Sequence, residues 1–262
     1  MKIVVLEKQV PDSTEITVDK KTGALIRDGV PAITNPDDLA GLEAALELKD
    51  KNPDTEVVVM TMGLPKAAEM LKEGVAMGAD KGVLLTDRVL GGSDTCATSI
   101  ALAAALKKVG FDLVIAGRQA IDGDTAQVGP QISEHLGLPV ISYAEGIEID
   151  GDSVIVKRQF DDRYMMLKAK MPCLITALSE LNEPRYMTPG GIFDAYKKEI
   201  TVWGRKDLKD VLDSNLGLKG SPTQIAKASD KVRKGAGVKE TNLDPSAAAN
   251  YIVEKLTEKH VL

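Results

Sequence analysis

Apolar runs typical of β-strands alternate with helical patterns through the first half of the chain. The strand-like runs cover residues 3–6, 56–62, 82–86 and 112–116. Apolar residues with helical spacing cover residues 37–51, 66–78, 93–109 and 125–136. Strands that alternate with helices of this length predict a parallel sheet covered by helices on both faces. The loops that follow the strands then lie along one edge of the sheet, where such folds bind ligands.

The second half of the chain has a different pattern. Three short strand-like runs cover residues 147–149, 153–159 and 164–169, and a further buried strand is predicted at 172–177. The turn after residue 149 reads Asp-Gly-Asp, and an Asp-Gly pair between two such runs predicts a hairpin. Residues 215–241 have the composition of a linker, and residues 246–259 have the apolar stripe of an amphipathic helix. The predicted fold is therefore α/β: a parallel sheet flanked by helices, with a small antiparallel hairpin insertion and an extended C-terminal arm.

Composition argues against several classes of function. The chain of 262 residues has a net charge of −6, and its pI near 5.2 disfavours nucleic acid as a main partner. No apolar run approaches the roughly 20 residues that span a bilayer, and the first apolar run is too short for a signal peptide, so we expect a cytoplasmic protein. Two cysteines and two histidines provide no disulfide framework or zinc spacing. We expect Cys96 and Cys173 to be small core residues, and we expect no metal site.

One loop at the predicted ligand edge has the sequence Gly117-Arg118-Gln119-Ala120-Ile121-Asp122-Gly123-Asp124-Thr125-Ala126-Gln127-Val128-Gly129-Pro130. We expect Asp124 or Thr125 to cap the helix that follows, and Gly117, Gly123 and Gly129 to let a ligand approach the backbone closely. A strand, a turn of small residues and a helix N-terminus together suit phosphate, because free backbone N–H groups and the helix dipole point outward. Spacing alone leaves open the alternative of an ordinary loop between a strand and a helix.

Four other loops open onto the same edge, and they contain residues 7–12, 34–37, 61–65 and 87–95. Each alone is explained as a turn or a helix cap, as with Asn35 or Asp94. Their shared location favours a nucleotide site. The chain has no Gly-x-Gly-x-x-Gly after the first strand, no Walker sequence and no Gly-x-Ser-x-Gly elbow. Nucleotide binding without an evident proton-transfer apparatus is typical of a protein that holds a cofactor.

Five sequence motifs resemble those of the β subunit of electron transfer flavoproteins, and the similarity runs almost from end to end. The motifs are Lys8-Gln9-Val10-Pro11-Asp12, Asn35-Pro36-Asp37 (with Asp37 in place of the usual aromatic residue), Ala76-Met77-Gly78-Ala79-Asp80, the loop that begins at Gly117, and Leu181-Asn182-Glu183-Pro184-Arg185-Tyr186. The resemblance implies a heterodimer in which a separate α subunit carries one FAD. It also implies an adenine-nucleotide-binding fold, like that of universal-stress proteins, over residues 1–190. Residues 191–262 would then form a docking loop and a C-terminal arm packing on the α subunit.

The sequence of the loop that begins at Gly117 resembles the corresponding loop in one branch of the family. In housekeeping members this site holds AMP, and the loop reads Asp-Asp-Asp followed by Asn-Gln-Thr-Gly. In this chain Gly123 and Ala126 remove side-chain bulk, and Val128 and Pro130 remove polarity. The sequence is therefore similar to the branch in anaerobes whose β subunit binds a second FAD, the acceptor of hydride from NADH. In that branch one electron goes through the α-subunit FAD to an acyl-CoA dehydrogenase, and the other goes to ferredoxin or flavodoxin.

The resemblance also implies a set of site residues. Adenine is expected near Leu6, Asn35 and Met62, and the flavin-side phosphate and ribityl region near Asp94, Thr95 and Thr98. The ADP half is expected on Gln119, Asp122, Gly123, Asp124, Thr125, Ala126, Gln127, Val128, Gly129 and Pro130. The expected neighbourhood of NADH is the turn of Gly91, Gly92 and Ser93. The segment 186–198 corresponds to the family's docking loop for acyl-CoA dehydrogenases, with expected contacts at Pro189, Ile192 and Phe193.

Two alternatives stay open. The first, within the family, is an AMP-binding carrier subunit with no redox centre of its own. The second is an adenine-nucleotide-binding regulatory protein of universal-stress type, which the motif at 181–186 and the long C-terminal arm disfavour.

Overall fold

A computed structural model describes residues 1–12, 31–223 and 235–262 of the chain. The chain divides into two compact units, Met1–Ala228 and Ser229–Leu262. Within the described ranges the larger unit contains all of the strands, and the smaller unit contains one helix.

The described part of the larger unit has two sheets. In chain order the strands are β1 (Lys2–Leu6), β2 (Gln9–Pro11), β3 (Ala32–Thr34), β4 (Glu56–Met62), β5 (Lys81–Leu85), β6 (Leu113–Gly117), β7 (Val140–Asp150), β8 (Ser153–Gln159), β9 (Tyr164–Lys170), β10 (Cys173–Ala177) and β11 (Thr201–Trp203). One sheet has the order β11-β5-β4-β1-β6-β10-β7-β8-β9, and β2 pairs with β3 in the other. Neighbours from β11 to β7 are parallel, whereas β7, β8 and β9 are antiparallel. The predicted parallel sheet with an antiparallel hairpin is confirmed.

Helices cover both faces of the long sheet, as the sequence predicts. They are α1 (Pro36–Lys51), α2 (Ala68–Met77), α3 (Thr95–Val109), α4 (Val128–Leu136), α5 (Pro189–Lys197), α6 (Gly217–Gly220) and α7 (Pro245–Glu258). Helices α1, α2 and α5 contribute to the core on one face of the sheet, and α3 and α4 contribute to the core on the other. Strand β1 supplies both cores by alternation, with Ile3 and Val5 on the first face and Val4 and Leu6 on the second. A central parallel strand is buried on both faces for this reason.

Strand β7 is longer than the sequence pattern indicates. Its first residues pair in parallel with β10, and the strand then continues into the antiparallel hairpin with β8. Tyr143 has a positive φ of 60°, and the register shifts between Ala144 and Gly146. These irregularities interrupt the alternation of apolar residues, so the pattern is visible only over residues 147–149.

Helix α4 begins three residues later than predicted, at Val128 instead of Thr125. The φ angles of Asp124 and Ala126 are 49° and 53°, and a right-handed helix cannot include residues in that conformation. The N-cap is Gln127, which makes no side-chain capping bond. The expectation that Asp124 or Thr125 caps this helix is therefore wrong.

Residues 191–223 pack within the larger unit. Strand β11 pairs with β5 at the edge of the long sheet, and Leu208, Val211 and Leu216 enter the core beside α3. Part of the predicted linker therefore has regular structure, since α6 lies within it, while residues 224–234 lie outside the described ranges. The division at residue 190 concerns packing on an α subunit, and it stays a prediction.

The smaller unit contains α7, which agrees with the helix predicted at 246–259. Asp244 caps it, because its Oδ1 atom accepts a hydrogen bond of 2.9 Å from the Ala247 backbone N–H. Pro245 occupies the first turn, where a missing N–H costs no helical hydrogen bond. Its apolar residues Ile252 and Val253 are more than half exposed.

The two cysteines differ in burial. Cys173 is buried, as predicted, whereas Cys96 is half-buried in α3. Within the described ranges no group of three or more His, Cys, Asp or Glu side chains could hold a metal ion. None of the described helices is long and apolar enough to cross a membrane.

Candidate nucleotide-binding site

The carboxylate of Asp38, in the first turn of α1, ties together the ends of two neighbouring strands. Its Oδ1 atom accepts a hydrogen bond of 2.8 Å from the Gly117 backbone N–H, and its Oδ2 atom accepts one of 2.8 Å from the Lys8 N–H. Burial raises the pKa of Asp38 to about 7, although both backbone hydrogen bonds favour the ionised form. A Cβ at position 117 would lie 2.2 Å from Asp38 Oδ1. The absence of a side chain at Gly117 therefore leaves room for the Asp38 carboxylate. The sequence alone does not reveal this role of the glycine.

The first half of the loop between β6 and α4 is held by two side chains from distant parts of the sequence. Asn35 is fully buried, its Nδ2 donates to Gln119 O at 2.8 Å, and its Oδ1 accepts from the Ile121 N–H at 3.1 Å. The ammonium group of Lys8 lies 2.5 Å from Asp122 Oδ1. Asn35, expected near adenine, thus positions the loop with both of its polar groups.

The second half of this loop is open and strained. Asp124 and Ala126 both have a positive φ, a backbone conformation that is unfavourable for residues other than glycine. No atom lies within 4 Å of a Cβ built at Gly123, so the space in front of this residue is empty of protein. The side chain of Gln119 donates to Asp124 Oδ1 at 3.0 Å. Strain of this kind concentrates at ligand-binding sites, where the rest of the structure maintains it.

The N-termini of α3 and α4 meet beside the open half of the loop. Thr95, the first residue of α3, donates from Oγ1 to Gln127 Oε1 at 2.8 Å. The first-turn amides of α4, at Val128 and Gly129, have no acceptor within their own helix. A Cβ at Gly129 would lie 2.7 Å from Thr176 Cγ2, so this glycine lets α4 start close to strand β10. Two adjacent helix N-termini form a favourable environment for phosphate.

An apolar floor lies at the same edge of the sheet. Leu6, the last residue of β1, pairs with Met60 of β4 and Ala116 of β6. Met62, at the end of β4, packs against the same core and is half-buried. Thr98 is also half-buried, one turn into α3. The structure therefore brings the predicted adenine, phosphate and ribityl neighbourhoods to one edge of the sheet.

Asp94 caps α3 and also contacts a segment that the sequence prediction does not include in the site. Its Oδ1 atom accepts from the Ala97 N–H at 3.0 Å, and its Oδ2 atom accepts from the Thr223 N–H at 2.9 Å. Burial opposes ionisation, but these backbone donors outweigh it and lower the pKa of Asp94. The backbone N–H of Asp94 donates to Ser221 Oγ at 2.8 Å. The sequence does not indicate this role of Ser221 and Thr223, because the composition of their segment is typical of a linker.

The turn predicted to neighbour NADH lies just before α3. Gly92 has a φ of 75°, and the Ser93 hydroxyl donates to Leu90 O at 2.8 Å. Gly91 O accepts a hydrogen bond of 3.1 Å from the Leu218 N–H. One side of this turn is therefore covered by residues of the same chain, and Gly91 and Gly92 remain exposed to solvent.

The predicted docking residues lie on helix α5, and the expectation of a loop is wrong. Thr188 caps the helix by accepting from the Gly191 N–H at 3.0 Å, and Pro189 fits the first turn. A Cβ at Gly191 would lie 2.3 Å from Ala76 O, so this glycine allows α5 to pack closely on α2. Ile192 and Phe193 point outward, and the side chain of Phe193 is 70% exposed.

Two aromatic residues that the sequence prediction missed flank these contacts. Tyr186 is 95% exposed and Tyr196 is 73% exposed. Aromatic residues make up only 3% of the chain, so their concentration in one short segment is a signal that the sequence does contain. Exposed aromatic side chains are favoured anchors in protein–protein interfaces.

Arg185 fastens this segment to α1. Its guanidinium binds Glu43 through Nε and Nη2 at 2.8 to 3.0 Å, and Nη2 also lies 2.7 Å from Asp50 Oδ2. The Arg185 backbone N–H donates to Glu43 Oε2 at 2.9 Å. The hydrogen bonds that Arg185 donates to these two carboxylates raise the pKa of Arg185 above its ordinary value. The Leu-Asn-Glu-Pro-Arg-Tyr motif therefore fixes the point from which the exposed aromatic segment begins.

The donors at the edge of the sheet fit a nucleotide with a pyrophosphate and a polyol chain. Backbone N–H groups at the start of α4 suit phosphate, and the hydroxyls of Thr95, Thr98 and Thr125 suit phosphate or sugar oxygens. The open space before Gly123 leaves room for a bulky group. Such a cradle can bind and orient a cofactor, and it contains no paired nucleophile and base among these residues.

Comparison with known proteins identifies the family of this chain. A family model described as electron transfer flavoprotein domain matches residues 22–208. The chain is 52% identical over 263 residues to the caffeyl-CoA reductase-Etf complex subunit CarD of Acetobacterium woodii, and 52% identical over 262 residues to the electron transfer flavoprotein subunit beta of Clostridium acetobutylicum. It is 47% identical over 270 residues to the acryloyl-CoA reductase electron transfer subunit gamma of Anaerotignum propionicum. Each alignment covers 100% of both chains. The chain therefore belongs to the electron transfer flavoprotein family.

Proposed function

We propose that this chain is the β subunit of a heterodimeric, electron-bifurcating electron transfer flavoprotein, and that it binds FAD at the carboxyl edge of its sheet. The observation that carries the proposal is the contact between Thr95 and Gln127, which brings two helix N-termini together beside the open space at Gly123. Relatives named as subunits of the caffeyl-CoA and acryloyl-CoA reductase complexes support the same branch. An adenine nucleotide in this site is also consistent with the housekeeping alternative, in which AMP replaces FAD.

Different residues of this chain would contact different parts of the cofactor. The amides of Val128 and Gly129 would hold the pyrophosphate, and Thr95 and Thr98 would hold the ribityl region. The chemistry that bound FAD supplies is acceptance of hydride from NADH and division of the two electrons between the α-subunit FAD and ferredoxin or flavodoxin. The part of the protein is to bind, orient and set the potential of the flavin. Leu6 and Met62 would shield one side of the adenine from water.

The proposal extends to partners and location. The α subunit would complete the heterodimer, and α5 with its exposed Phe193 would contact an acyl-CoA dehydrogenase. The assembly would act in the cytoplasm as an NADH-dependent system that reduces ferredoxin. The chain itself would be an electron-carrying subunit of that system.

The test is to purify the chain with its α subunit and to count the bound nucleotides. We expect two FAD per heterodimer and bleaching of both flavins when NADH is added. One FAD and one AMP, with no bleaching by NADH, would support the housekeeping alternative instead. Copurification of no α subunit would favour the universal-stress type of regulatory protein.

A variant pair locates the second FAD in the proposed site. Gly123→Asp places bulk and charge in the open space, so we expect it to lower the count from two FAD to one without unfolding the chain. Gly237→Asp is the matched control, because no atom lies within 4 Å of a Cβ there either. Equal FAD counts in the two variants would place the second flavin elsewhere.

A further inference from the structure

Residues 216–223, which we term the latch segment, bind the turn that precedes α3. The Leu218 N–H donates to Gly91 O at 3.1 Å. Gly217 has a φ of 58°, and a Cβ there would lie 2.0 Å from Val89 O, so only glycine permits this approach. Leu216 is buried in the core beneath α3. The latch segment is therefore closely fitted to the turn.

Ser221 is the central polar contact of the latch segment. Its side chain is buried, and its Oγ accepts the hydrogen bond from the Asp94 N–H at 2.8 Å. The same oxygen lies 2.8 Å from Gly217 O and 3.2 Å from Gly92 O, either of which accepts its proton. This one hydroxyl thus connects the latch segment, the turn and the cap of α3.

Asp94 extends the connection into the helix. One of its carboxylate oxygens binds the Ala97 N–H inside α3, and the other binds the Thr223 N–H in the latch segment. Thr95 and Thr98 follow Asp94 directly in the first turn of α3. Asp94 therefore links the latch segment to the first turn of α3, which contains Thr95 and Thr98.

We propose that Ser221 and Thr223 are positioning residues that couple the latch segment to the cofactor end of α3. The proposal rests on the proposed function in one respect, that an adenine nucleotide binds at this end of α3. Coupling of this kind is reciprocal: occupation of the site makes the latch segment more ordered, and an ordered latch segment increases the affinity of the site.

The test uses the complete heterodimer, stripped of nucleotide and titrated with FAD. Ser221→Ala removes the hydroxyl, and Thr223→Pro removes the N–H that binds Asp94. We expect each variant to weaken FAD binding about tenfold, the effect of one or two lost hydrogen bonds. Ser214→Ala is the matched control, because Ser214 is exposed and its hydroxyl donates to the side chain of the neighbouring Asn215. It should bind FAD as the wild type does.

Hydrogen–deuterium exchange gives a second readout that does not depend on electron transfer. FAD should slow exchange of the Thr223 amide in the wild type and in Ser214→Ala, and Ser221→Ala should reduce this protection. Equal FAD affinity and equal protection in Ser221→Ala and Ser214→Ala would overturn the coupling.

The failure of the proposed function has a different signature. In that case the wild-type heterodimer binds neither FAD nor AMP at this site. Hydrogen–deuterium exchange in the nucleotide-free protein then tests whether the latch segment positions the start of α3. Faster exchange of the Ala97 amide in Ser221→Ala than in Ser214→Ala would support the positioning role, and unchanged exchange would overturn it.

Discussion

Asp38 Oδ1 and the Gly117 N–H are 2.8 Å apart, in a space that any side chain at position 117 would fill. This contact joins the start of α1 to the end of β6. The same carboxylate binds the Lys8 N–H after β1, so two strand ends share one acceptor. The loops that form the candidate site begin at these two points.

Gly117→Ala should destabilise the fold and displace the loop that follows. The new Cβ would lie 2.2 Å from Asp38 Oδ1, and overpacking in a buried place costs about 2 kcal/mol or more. Urea denaturation measures the free energy of unfolding. Gly123→Ala is the control, because its Cβ meets no atom within 4 Å, and its stability should stay within about 0.5 kcal/mol of the wild type. Equal stability of both variants would show that Asp38 is not held as described.

Glu7→Gln should raise stability at pH 8 and leave it unchanged near pH 4.5. Burial raises the pKa of Glu7 well above its ordinary value, and Asp38 and Glu73 add to the effect. The protonated carboxyl is therefore favoured in the fold, and its contribution is lost as the pH rises through the folded pKa. Glutamine resembles the neutral form, so the variant should be more stable than the wild type at pH 8.

Thermal unfolding over this pH range measures the effect, and Glu56→Gln is the control. A hydrogen bond from Lys81 lowers the pKa of Glu56, so this variant should show no gain at pH 8. A parallel pH profile for the two variants would contradict the assignment of Glu7.

Ala126→Gly should stabilise the nucleotide-free chain. An L-residue in the left-handed region costs roughly 1–2 kcal/mol, and glycine avoids this cost. Glycine also increases the conformational entropy of the unfolded chain, which offsets part of the benefit, so the net gain in stability is about 0.5 to 1 kcal/mol. Ala120→Gly, in the same loop without a positive φ, should lose stability instead. Calorimetry distinguishes the two signs, and a loss in both variants would mean that Ala126 is not strained.

Arg185→Lys should loosen the segment that leads to α5. Lysine cannot form the paired hydrogen bonds to Glu43, which is 4% exposed and would keep a poorly compensated charge. We expect a loss of about 1–2 kcal/mol, moderated because the side chain of Arg185 is one-third exposed. Hydrogen exchange in α5 should quicken. Lys197→Gln, which removes an exposed pair with Asp194, should leave exchange unchanged.

Phe193→Ala should impair electron transfer to an acyl-CoA dehydrogenase without affecting the fold. An exposed aromatic anchor contributes more than 1 kcal/mol to a typical interface, so the KM for the dehydrogenase should rise about tenfold. Tyr164→Ala removes a comparably exposed aromatic residue on β9 and is the control. Equal KM values for the two variants would place the docking surface away from α5.

The fold was predictable because its signal is local. The strand at 56–62 and the strands β1, β5 and β6 follow from apolar runs, and helices at the expected spacing lie between them. The start of α4 was not predictable, since Asp124 and Ala126 take a conformation that their own residue types disfavour.

Contacts from distant parts of the sequence maintain that conformation. The loop is held by Asn35 and by Lys8, and neither residue carries a sign of this role in its own neighbourhood. The place of the candidate site followed from the order of strands and loops. The interior contacts of the site, such as those of Asp38 and Ser221, depend on three-dimensional proximity alone.

The close approach of Gly191 to Ala76 O has a consequence for how this surface is mapped. An alanine scan of the segment would report Gly191 as a contact of the partner protein, although its Cβ would lie 2.3 Å from a carbonyl oxygen of α2 and would push the whole helix outward. Neighbouring Gly190 has no atom within 4 Å of its Cβ position, so an effect there would report on the partner. Substitutions at these two adjacent glycines would therefore report on different properties, which are the packing of α5 on α2 at Gly191 and contact with the partner at Gly190.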